Sequence, residues 1–290
     1  MKRAALVVAV AAIFLLLAGC GGEESASPEE FAGVPLEAQD PGPIHVHGLG
    51  YDTTAKVLYV ATHTGMFELP DGAAKAKRIG DKQQDTMGFS LVKPGLFLGS
   101  GHPDARDDSP PHLGLIKSVD RGRSWQSVSL LGEADFHVLR ARANYVYGFD
   151  TTQERLLTSV DAGKSWKRLT APEAILDLAV EPGDPEHIIA SGGAVLYRSA
   201  DAGRSWKAAA SGISGYLAWP TPRRIYVATF DGALLTATAP TGPWQARGSI
   251  GSPVSALLAI DEQTLFVAQH DGTLKQSLDA GKTWTVRATP

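Results

Sequence analysis

Histidines are the residues of this chain whose type and spacing could support chemistry. The 290-residue sequence contains eight, and His45 and His47 are separated by a single residue. Residues i and i+2 of an extended strand point to the same side, so these two imidazoles would be presented together. Neutral imidazole is the commonest protein ligand for zinc, copper and nickel. The spacing therefore indicates a metal or ligand site, to which other parts of the chain would contribute.

Further histidines and two aspartates are candidates to complete such a site. A carboxylate would add an oxygen ligand or orient an imidazole through a hydrogen bond. The candidate ligands for zinc or copper are His45, His47, His63, His102, His137 and His270, and the candidate catalytic carboxylates are Asp85 and Asp177. The alternative is a set of separate histidines that bond to backbone and water. The sequence leaves both interpretations open.

The elements that must position these residues are marked by a tryptophan repeat. Trp125, Trp166, Trp206, Trp244 and Trp284 recur at spacings of 41, 40, 38 and 40 residues. Four of them end the phrase Ser-x-Asp-x-Gly-x-Ser/Thr-Trp, which begins at Ser118, Ser159, Ser199 and Ser277. A fixed period of this size is typical of repeat architectures. The repeat that ends at Trp244 keeps only the tryptophan of this phrase, and the first repeat lacks the tryptophan as well.

Each repeat contains four strand-like runs, here named A to D, separated by turn signals and without helical periodicity. The runs of the fourth repeat are 175–180, 187–191, 195–199 and 206–209. Six such units fit between residue 44 and the last residue, 290. Six four-stranded sheets around a channel make an all-β, six-bladed β-propeller. An insertion at 100–112 lengthens the B–C loop of blade two.

Strand polarity places most histidines on one face of this propeller. Because strands A and C run opposite to B and D, the start of strand A and the B–C loop share a face. His45, His47 and His137 lie at starts of strand A, whereas His63, His102, His112 and His270 lie in B–C loops. We expect these seven to surround one end of the channel. His187 lies in an A–B turn, on the opposite face, and receives no role.

The repeated phrase resembles the Asp-box, or BNR repeat, of sialidases, sortilin-type receptors, some xyloglucanases and a photosystem assembly factor. The resemblance covers the whole predicted propeller and implies structural C–D turns, in which Asp and Ser bond to backbone, Gly adopts positive φ and Trp packs between blades. The residues to which it assigns this structural role are Asp120, Gly122, Trp125, Asp161, Gly163, Trp166, Asp201, Gly203, Trp206, Asp279, Gly281 and Trp284.

The N-terminal region has the features of a targeting segment. Lys2 and Arg3 precede an apolar run that ends in Leu17-Ala18-Gly19-Cys20, which resembles a bacterial lipoprotein box. The resemblance implies a signal peptide at 1–19 and lipidation of Cys20, the sole cysteine of the chain. Residues 20–43 are rich in Gly, Pro, Ser and Glu, as in a flexible tether. We therefore expect an extracytoplasmic, membrane-anchored protein.

The segments His45–Leu49, Ala61–Gly65, Asp85–Phe89 and Ser100–Asp104 together resemble bacterial lipoproteins described as glycosylhydrolase-like or sialidase-like. Sialidases carry an Arg-Ile-Pro signature, which this chain lacks. Glycosidases generally need two carboxylates on opposite sides of the scissile bond. The carboxylates predicted on the histidine-bearing face are Asp85, Asp104, Asp107, Asp108, Asp150, Asp177, Asp231 and Asp271, and no pair stands out.

Two classes of function therefore stay open. One is a binding or interaction module that presents its histidine-rich face to a metal, a glycan or an envelope protein. The other is a glycosyl hydrolase, and metal-dependent redox chemistry is a third alternative. The net charge of −4 and the absence of a Lys/Arg block argue against a nucleic-acid partner. We expect a monomer.

Overall fold

The structure is a computed structural model that describes residues 42–290. The predicted signal peptide, Cys20 and nearly all of the predicted tether lie outside the described residues. The described chain forms 24 strands in six four-stranded antiparallel sheets, which confirms the predicted six-bladed propeller. Within 42–290, no helix has the length and apolarity needed to cross a membrane.

Blades 1 to 3 each consist of four consecutive strands. Blade 1 contains β1 (Val46–Asp52), β2 (Val57–Thr62), β3 (Gly65–Pro70) and β4 (Lys77–Arg78). Blade 2 contains β5 (Asp85–Lys93), β6 (Leu96–His102), β7 (Leu115–Ser118) and β8 (Gln126–Ser129). Blade 3 contains β9 (Phe136–Arg142), β10 (Tyr145–Asp150), β11 (Arg155–Ser159) and β12 (Lys167–Leu169).

Blades 4 to 6 follow the same plan. Blade 4 contains β13 (Asp177–Val180), β14 (Ile188–Ser191), β15 (Val195–Ser199) and β16 (Lys207–Ser211). Blade 5 contains β17 (Tyr216–Thr221), β18 (Arg224–Ala228), β19 (Ala233–Ala237) and β20 (Gln245–Ser249). Blade 6 contains β21 (Val254–Ala259), β22 (Leu265–Gln269), β23 (Leu274–Ser277) and β24 (Thr285–Ala288).

The first strand of each blade lines a central channel. This channel holds a cavity of about 340 Å³, and residues of β1, β5, β9, β13, β17 and β21 form its wall. We call the end at which these six strands begin the channel mouth. Because all six strands run in the same sense through the wall, their first residues meet at the mouth.

Apolar cores fill the spaces between neighbouring blades, and the repeated tryptophans pack against five of them. Trp125 packs against the core between blades 1 and 2, and Trp284 against the core between blades 5 and 6. The core between blades 6 and 1 has no tryptophan, and instead Tyr51 stacks on Phe266 with ring centroids 5.2 Å apart. An aromatic pair therefore replaces the missing tryptophan where the ring closes.

Each repeated phrase forms the turn between the third and fourth strands of its blade. In blade 3, Gly163 N–H donates to Ser159 Oγ (2.8 Å), and Ser165 N–H and Oγ–H donate to the two oxygens of Asp161 (2.9 and 2.6 Å). Ala162 and Gly163 have φ values of 61° and 85°, in the left-handed region that glycine tolerates best. The turn is thus held by bonds between residues at most four apart, and its aspartate has no free oxygen.

The predicted strand boundaries of blade 4 agree with the observed ones to within two residues. The insertion in blade two is smaller than predicted at its N-terminal side, because β6 continues through Ser100 and Gly101 to His102. His102 continues the strand because it pairs in register with Asp85 of β5. The prediction that His102 lies in the loop is therefore wrong, and the loop between β6 and β7 spans 103–114.

Candidate functional site

Imidazoles and carboxylates of blades 1 to 3 gather at the channel mouth. We define the His/Asp cluster as His47, His63, Asp85, His102, His112, Asp135 and His137. Within the described residues it contains two groups that could hold a metal ion, His47–His63–Asp85 and His102–His112–Asp135. In each group, one ligand atom per residue lies within 4.8 Å of the other two.

Asp85 is the centre of the first group. Its residue is 8% exposed, and its Oδ2 lies 3.1 Å from His63 Nδ1 and 3.2 Å from His102 Nδ1. The other oxygen, Oδ1, lies 3.6 Å from His47 Nε2. Both Oδ1 of Asp85 and Nε2 of His47 are buried without a hydrogen-bond partner. Two potential ligand atoms of this group are therefore unused by the protein itself.

The two histidines of this group differ in protonation and exposure. Burial lowers the pKa of His47 to about 4, even though Asp85 opposes the shift. The hydrogen bond to Asp85 raises the pKa of His63, whose side chain is 58% exposed. At neutral pH the group thus offers a neutral imidazole facing Asp85 from the interior and a second imidazole that remains open to solvent.

Asp135 is the centre of the second group and is 2% exposed. His137 Nε2–H donates to its Oδ2 (2.9 Å), and His102 Nε2 lies 3.4 Å from the same oxygen. Burial opposes ionisation of Asp135, but His137, His102 and His112 outweigh that effect and lower its pKa. Oδ1 of Asp135 and Nδ1 of His112 are buried without partners. This group therefore also keeps a nitrogen and an oxygen atom unused.

His102 connects the two groups because of strand register in blade 2. It is the direct cross-strand partner of Asp85, and the next pair is Thr86 with Gly101. Gly101 has a φ of 135°, and a Cβ atom there would lie 2.1 Å from the backbone oxygen of Asp85. Only glycine permits this close approach. The glycine before His102 thus brings the two strand ends together.

Asp135 is held in place by the next turn of its own blade. Its backbone N–H donates to Asp150 Oδ1 (3.3 Å), and Asp150 also accepts from Arg155 Nε (2.8 Å). The following residue, Phe136, donates its N–H to Ser100 Oγ of blade 2 (3.0 Å). The carboxylate is therefore positioned by blade 3 and fastened to blade 2.

The loop at 103–114 is tied down at its base and carries His112. Arg106 Nε donates to Asp104 Oδ1 (2.8 Å), while Gln83 N–H donates to Asp104 Oδ2 (2.7 Å). The His112 carbonyl accepts from Gly132 N–H (2.7 Å). The rings of His102 and His112 lie 5.7 Å apart. The loop therefore delivers an imidazole beside Asp135.

The structure brings most of the predicted histidines together, but not through the predicted geometry alone. His45 has a φ of 49° and precedes β1, so strand alternation does not relate it to His47. Its ring nevertheless lies 5.9 Å from that of His63. His270 belongs to neither group, and its backbone N–H bonds to Pro253. His187 bonds to Glu181, on the opposite face.

Asp177 is separate from the His/Asp cluster. It accepts hydrogen bonds from Arg140, from Leu178 N–H (2.7 Å) and from Leu217 N–H (2.8 Å), and it is 2% exposed. Burial raises its pKa, while these donors oppose the shift. Since its donors come from three blades, Asp177 joins blades 3, 4 and 5 structurally. It is not adjacent to a histidine of either group.

Sequence reasoning missed Asp135, and it placed His112 on the right face without counting it among the candidate ligands. The signal was present, because Asp135-Phe-His137 aligns with Asp85-Thr-Met87 at the start of the first strand of each blade. The other candidate carboxylates serve the local structure: Asp104 and Asp150 as above, Asp107 as the partner of Lys82, Asp231 as the acceptor for Thr229 and Asp271 as the acceptor for Thr273 N–H. Asp108 is exposed.

The opposite side of the mouth has a different chemistry. Leu176 and Phe230 are among the exposed large apolar residues, and the Phe230 ring contacts Tyr216 edge to face at 5.5 Å. Burial raises the pKa of Tyr216 to about 12, so its phenol is neutral. Blades 1 to 3 thus present titratable groups, whereas blades 4 and 5 present apolar and aromatic surface.

No protein-family model and no curated protein match this sequence. Solved structures do resemble it. A GH74 enzyme from Niastella koreensis is 15% identical with a TM-score of 0.61, and the GH74 xyloglucanase from Xanthomonas campestris is 18% identical with a TM-score of 0.58. Each alignment covers 84% of this chain, which spans only 45% of either enzyme. YCF48 from Cyanidioschyzon merolae is 14% identical, with a TM-score of 0.52 and 85% of both chains covered. At these identities the likeness supports the fold alone.

Proposed function

We propose that this protein binds a transition-metal ion, Zn²⁺ or Cu²⁺, between His47, His63 and Asp85 at the channel mouth. The observation that carries the proposal is the pair of buried, unpartnered ligand atoms, Asp85 Oδ1 and His47 Nε2, which face each other at 3.6 Å. An unsatisfied carboxylate oxygen away from water is costly. A cation between these atoms removes that cost.

The donor set suits such an ion. Zinc in proteins binds imidazole nitrogen and carboxylate oxygen at about 2.0–2.2 Å, which puts neighbouring ligand atoms about 3.3 Å apart. The Asp85 oxygens lie 3.6 Å from His47 and 3.1 Å from His63, so only small side-chain adjustments are needed. With three protein ligands and an exposed His63, the ion would keep a coordination position open to solvent. Such an ion can receive an exchangeable water or anionic ligand.

Calorimetric titration of the purified full-length protein with Zn²⁺, and separately with Cu²⁺, tests the proposal. We expect saturable binding of an ion at this site, and His63→Ala should weaken the binding of that ion by at least tenfold. His270→Ala is the matched control, because it removes a histidine of the same face that lies outside both groups. Absence of binding in the unmodified protein, or equal losses in the two variants, would refute the metal site.

Glycoside hydrolysis is a second candidate, which the GH74 structural neighbours and the carboxylates Asp85 and Asp135 favour. The His102 ring lies between these carboxylates and contacts both, in the space that a scissile bond would need. We therefore place this function second. Turnover of a fluorogenic glycoside or of xyloglucan, lost in both Asp85→Asn and Asp135→Asn, would reverse that order.

We also propose that the propeller is anchored outside the cytoplasm through lipid on Cys20. The support is the sequence Leu17-Ala18-Gly19-Cys20 after a basic start and an apolar run. Mass spectrometry of the mature N-terminus tests this: an acylated Cys20 supports anchoring. A mature chain that carries no acyl group on Cys20 and is not retained in the membrane fraction would exclude lipid anchoring.

A further inference from the structure

We infer that a second metal ion binds between His102, His112 and Asp135, and that a hydrogen bond from His102 to Asp85 couples this second site to the first. The inference rests on the proposed function, since it makes Asp85 both a ligand of one ion and an orienting group for the other. Together the two sites would form one two-ion centre shared by blades 1, 2 and 3.

Both ring nitrogens of His102 face carboxylates. Its Nδ1 lies 3.2 Å from Asp85 Oδ2, and its Nε2 lies 3.4 Å from Asp135 Oδ2. A neutral imidazole carries one N–H, and an ionised carboxylate only accepts. If Nδ1–H donates to Asp85, the Nε2 lone pair faces the carboxylate of Asp135. A cation between Nε2 and Asp135 converts that repulsion into coordination.

Two further buried atoms of this group have no hydrogen-bond partner. His137 Nε2–H already occupies Oδ2 at 2.9 Å, whereas the buried Oδ1 has no partner. His112 supplies Nδ1, which is also buried and unpartnered. One oxygen and two nitrogens, from Asp135, His112 and His102, lie within 4.8 Å of one another. This is the same donor set as in the first group, two imidazoles and one carboxylate.

The coupling follows from a known arrangement of metal sites. A histidine ligand usually donates its second ring N–H to a carboxylate, which fixes the tautomer and the ring orientation. Asp85 does this for His102 through the in-register pairing of β5 and β6. His137 does the corresponding task for the ligand Asp135 by occupying its Oδ2. Loss of Asp85 would therefore affect both ions, whereas loss of His63 or His112 would affect one.

Stoichiometry tests the second site. We expect the full-length protein to bind two Zn²⁺ ions in calorimetric titration, and His63→Ala and His112→Ala each to bind one. The His270→Ala control should bind two. His112 lies in the loop at 103–114, outside the strands, so its removal leaves the blades intact; circular dichroism of each variant verifies this.

A pair of substitutions at Asp85 tests the coupling. Asp85→Ala removes the first site and the acceptor for His102, so the second site should bind Zn²⁺ about 10–100-fold more weakly. Asp85→Asn also removes the first site, because an amide oxygen is a poor ligand, but that oxygen still accepts the His102 N–H. We expect Asp85→Asn to keep the second-site affinity within a few-fold of the unmodified protein.

The outcomes separate this inference from the function on which it rests. A single bound ion that survives His112→Ala and is lost in His63→Ala overturns the second site and leaves the first proposal standing. Two ions with equal second-site affinities in Asp85→Ala and Asp85→Asn overturn the coupling. No bound ion overturns both proposals.

Discussion

Two regions at the first strands of the blades bury carboxylates, but with opposite consequences. Asp177 receives an Arg140 guanidinium and two backbone N–H groups, so every oxygen has a partner. Asp85 and Asp135 are nearly as buried, yet each keeps one oxygen without any. Burial alone therefore does not distinguish a structural carboxylate from a functional one. What differs between the two regions is the number of hydrogen-bond donors that the fold supplies to each carboxylate.

The aspartates of the four repeated turns resemble Asp177, because both of their carboxylate oxygens have hydrogen-bond partners. They accept from local N–H and O–H groups at both oxygens, as Asp161 does from Ser159 and Ser165. A carboxylate whose acceptor sites are filled has no ligand function left. Four conspicuous aspartates of the sequence are thus scaffold, and an inconspicuous one, Asp135, belongs to the candidate site.

The largest expected effect comes from removing Asp177. Asp177→Ala leaves Arg140 without its carboxylate and two backbone N–H groups without acceptors, so we expect a loss of about 3–5 kcal/mol in the free energy of unfolding. Urea unfolding measures it. In metal-free protein, Asp85→Ala should cost no more than about 1 kcal/mol, because the side chains of His63 and His102 are 58% and 39% exposed and water can replace the carboxylate as their partner. Equal costs for the two variants would erase the distinction between the regions.

Metal binding should stabilise the folded protein, and only through the His/Asp cluster. With Zn²⁺ at 100 times its dissociation constant, one occupied site raises the free energy of unfolding by about 2.7 kcal/mol. We expect a gain of at least this size in the unmodified protein and in His270→Ala, and no gain in the double variant His63→Ala/His112→Ala. Thermal unfolding with and without Zn²⁺ reports it. A gain that persists in the double variant would place the ion elsewhere.

Replacing both members of the Arg140–Asp177 pair tests how much of the cost of losing Asp177 is due to the unpaired charge of Arg140. Arg140→Met/Asp177→Leu leaves no unpaired buried charge, so only the two backbone N–H groups lose their acceptor, at about 1–3 kcal/mol in total. The double variant should thus be more stable than Asp177→Ala and should bind Zn²⁺ like the unmodified protein. Impaired Zn²⁺ binding would show that the two regions are not independent.

The smallest effect concerns the exposed turns. Hydrogen bonds from Ser205 and Ser199 lower the pKa of Asp201 to about 2. A carboxyl group whose pKa is lower when folded stabilises the protein above its unfolded value of about 3.9, and this contribution disappears as the pH falls towards 2. Urea unfolding at pH 5, 3 and 2 should show a steeper decline for the unmodified protein than for Asp201→Asn. Parallel declines would contradict the proposed role of the turn.

Local chemistry explains why the fold could be predicted from the sequence. The phrase at Ser159–Trp166 forms its turn through bonds between residues two to four apart, so the pattern itself specifies the structure. The tryptophan spacing and the strand-like runs together predicted six blades. Strand polarity predicted that the histidines share one face. The sequence did not show which of these histidines lie close to one another on that face. His270 was assigned to the right face but lies outside both groups.

Tertiary structure alone decided which carboxylates keep a free oxygen. The His102 imidazole that bonds to Asp85 comes from 17 residues away, and the guanidinium that bonds to Asp177 comes from 37 residues away in a neighbouring blade. The sequence showed both as aspartates at the beginning of an inner strand. Because donors for a buried group come from neighbouring strands and neighbouring blades, their number depends on how the blades pack. Packing therefore made Asp177 a structural residue and left Asp85 and Asp135 with atoms available to a ligand.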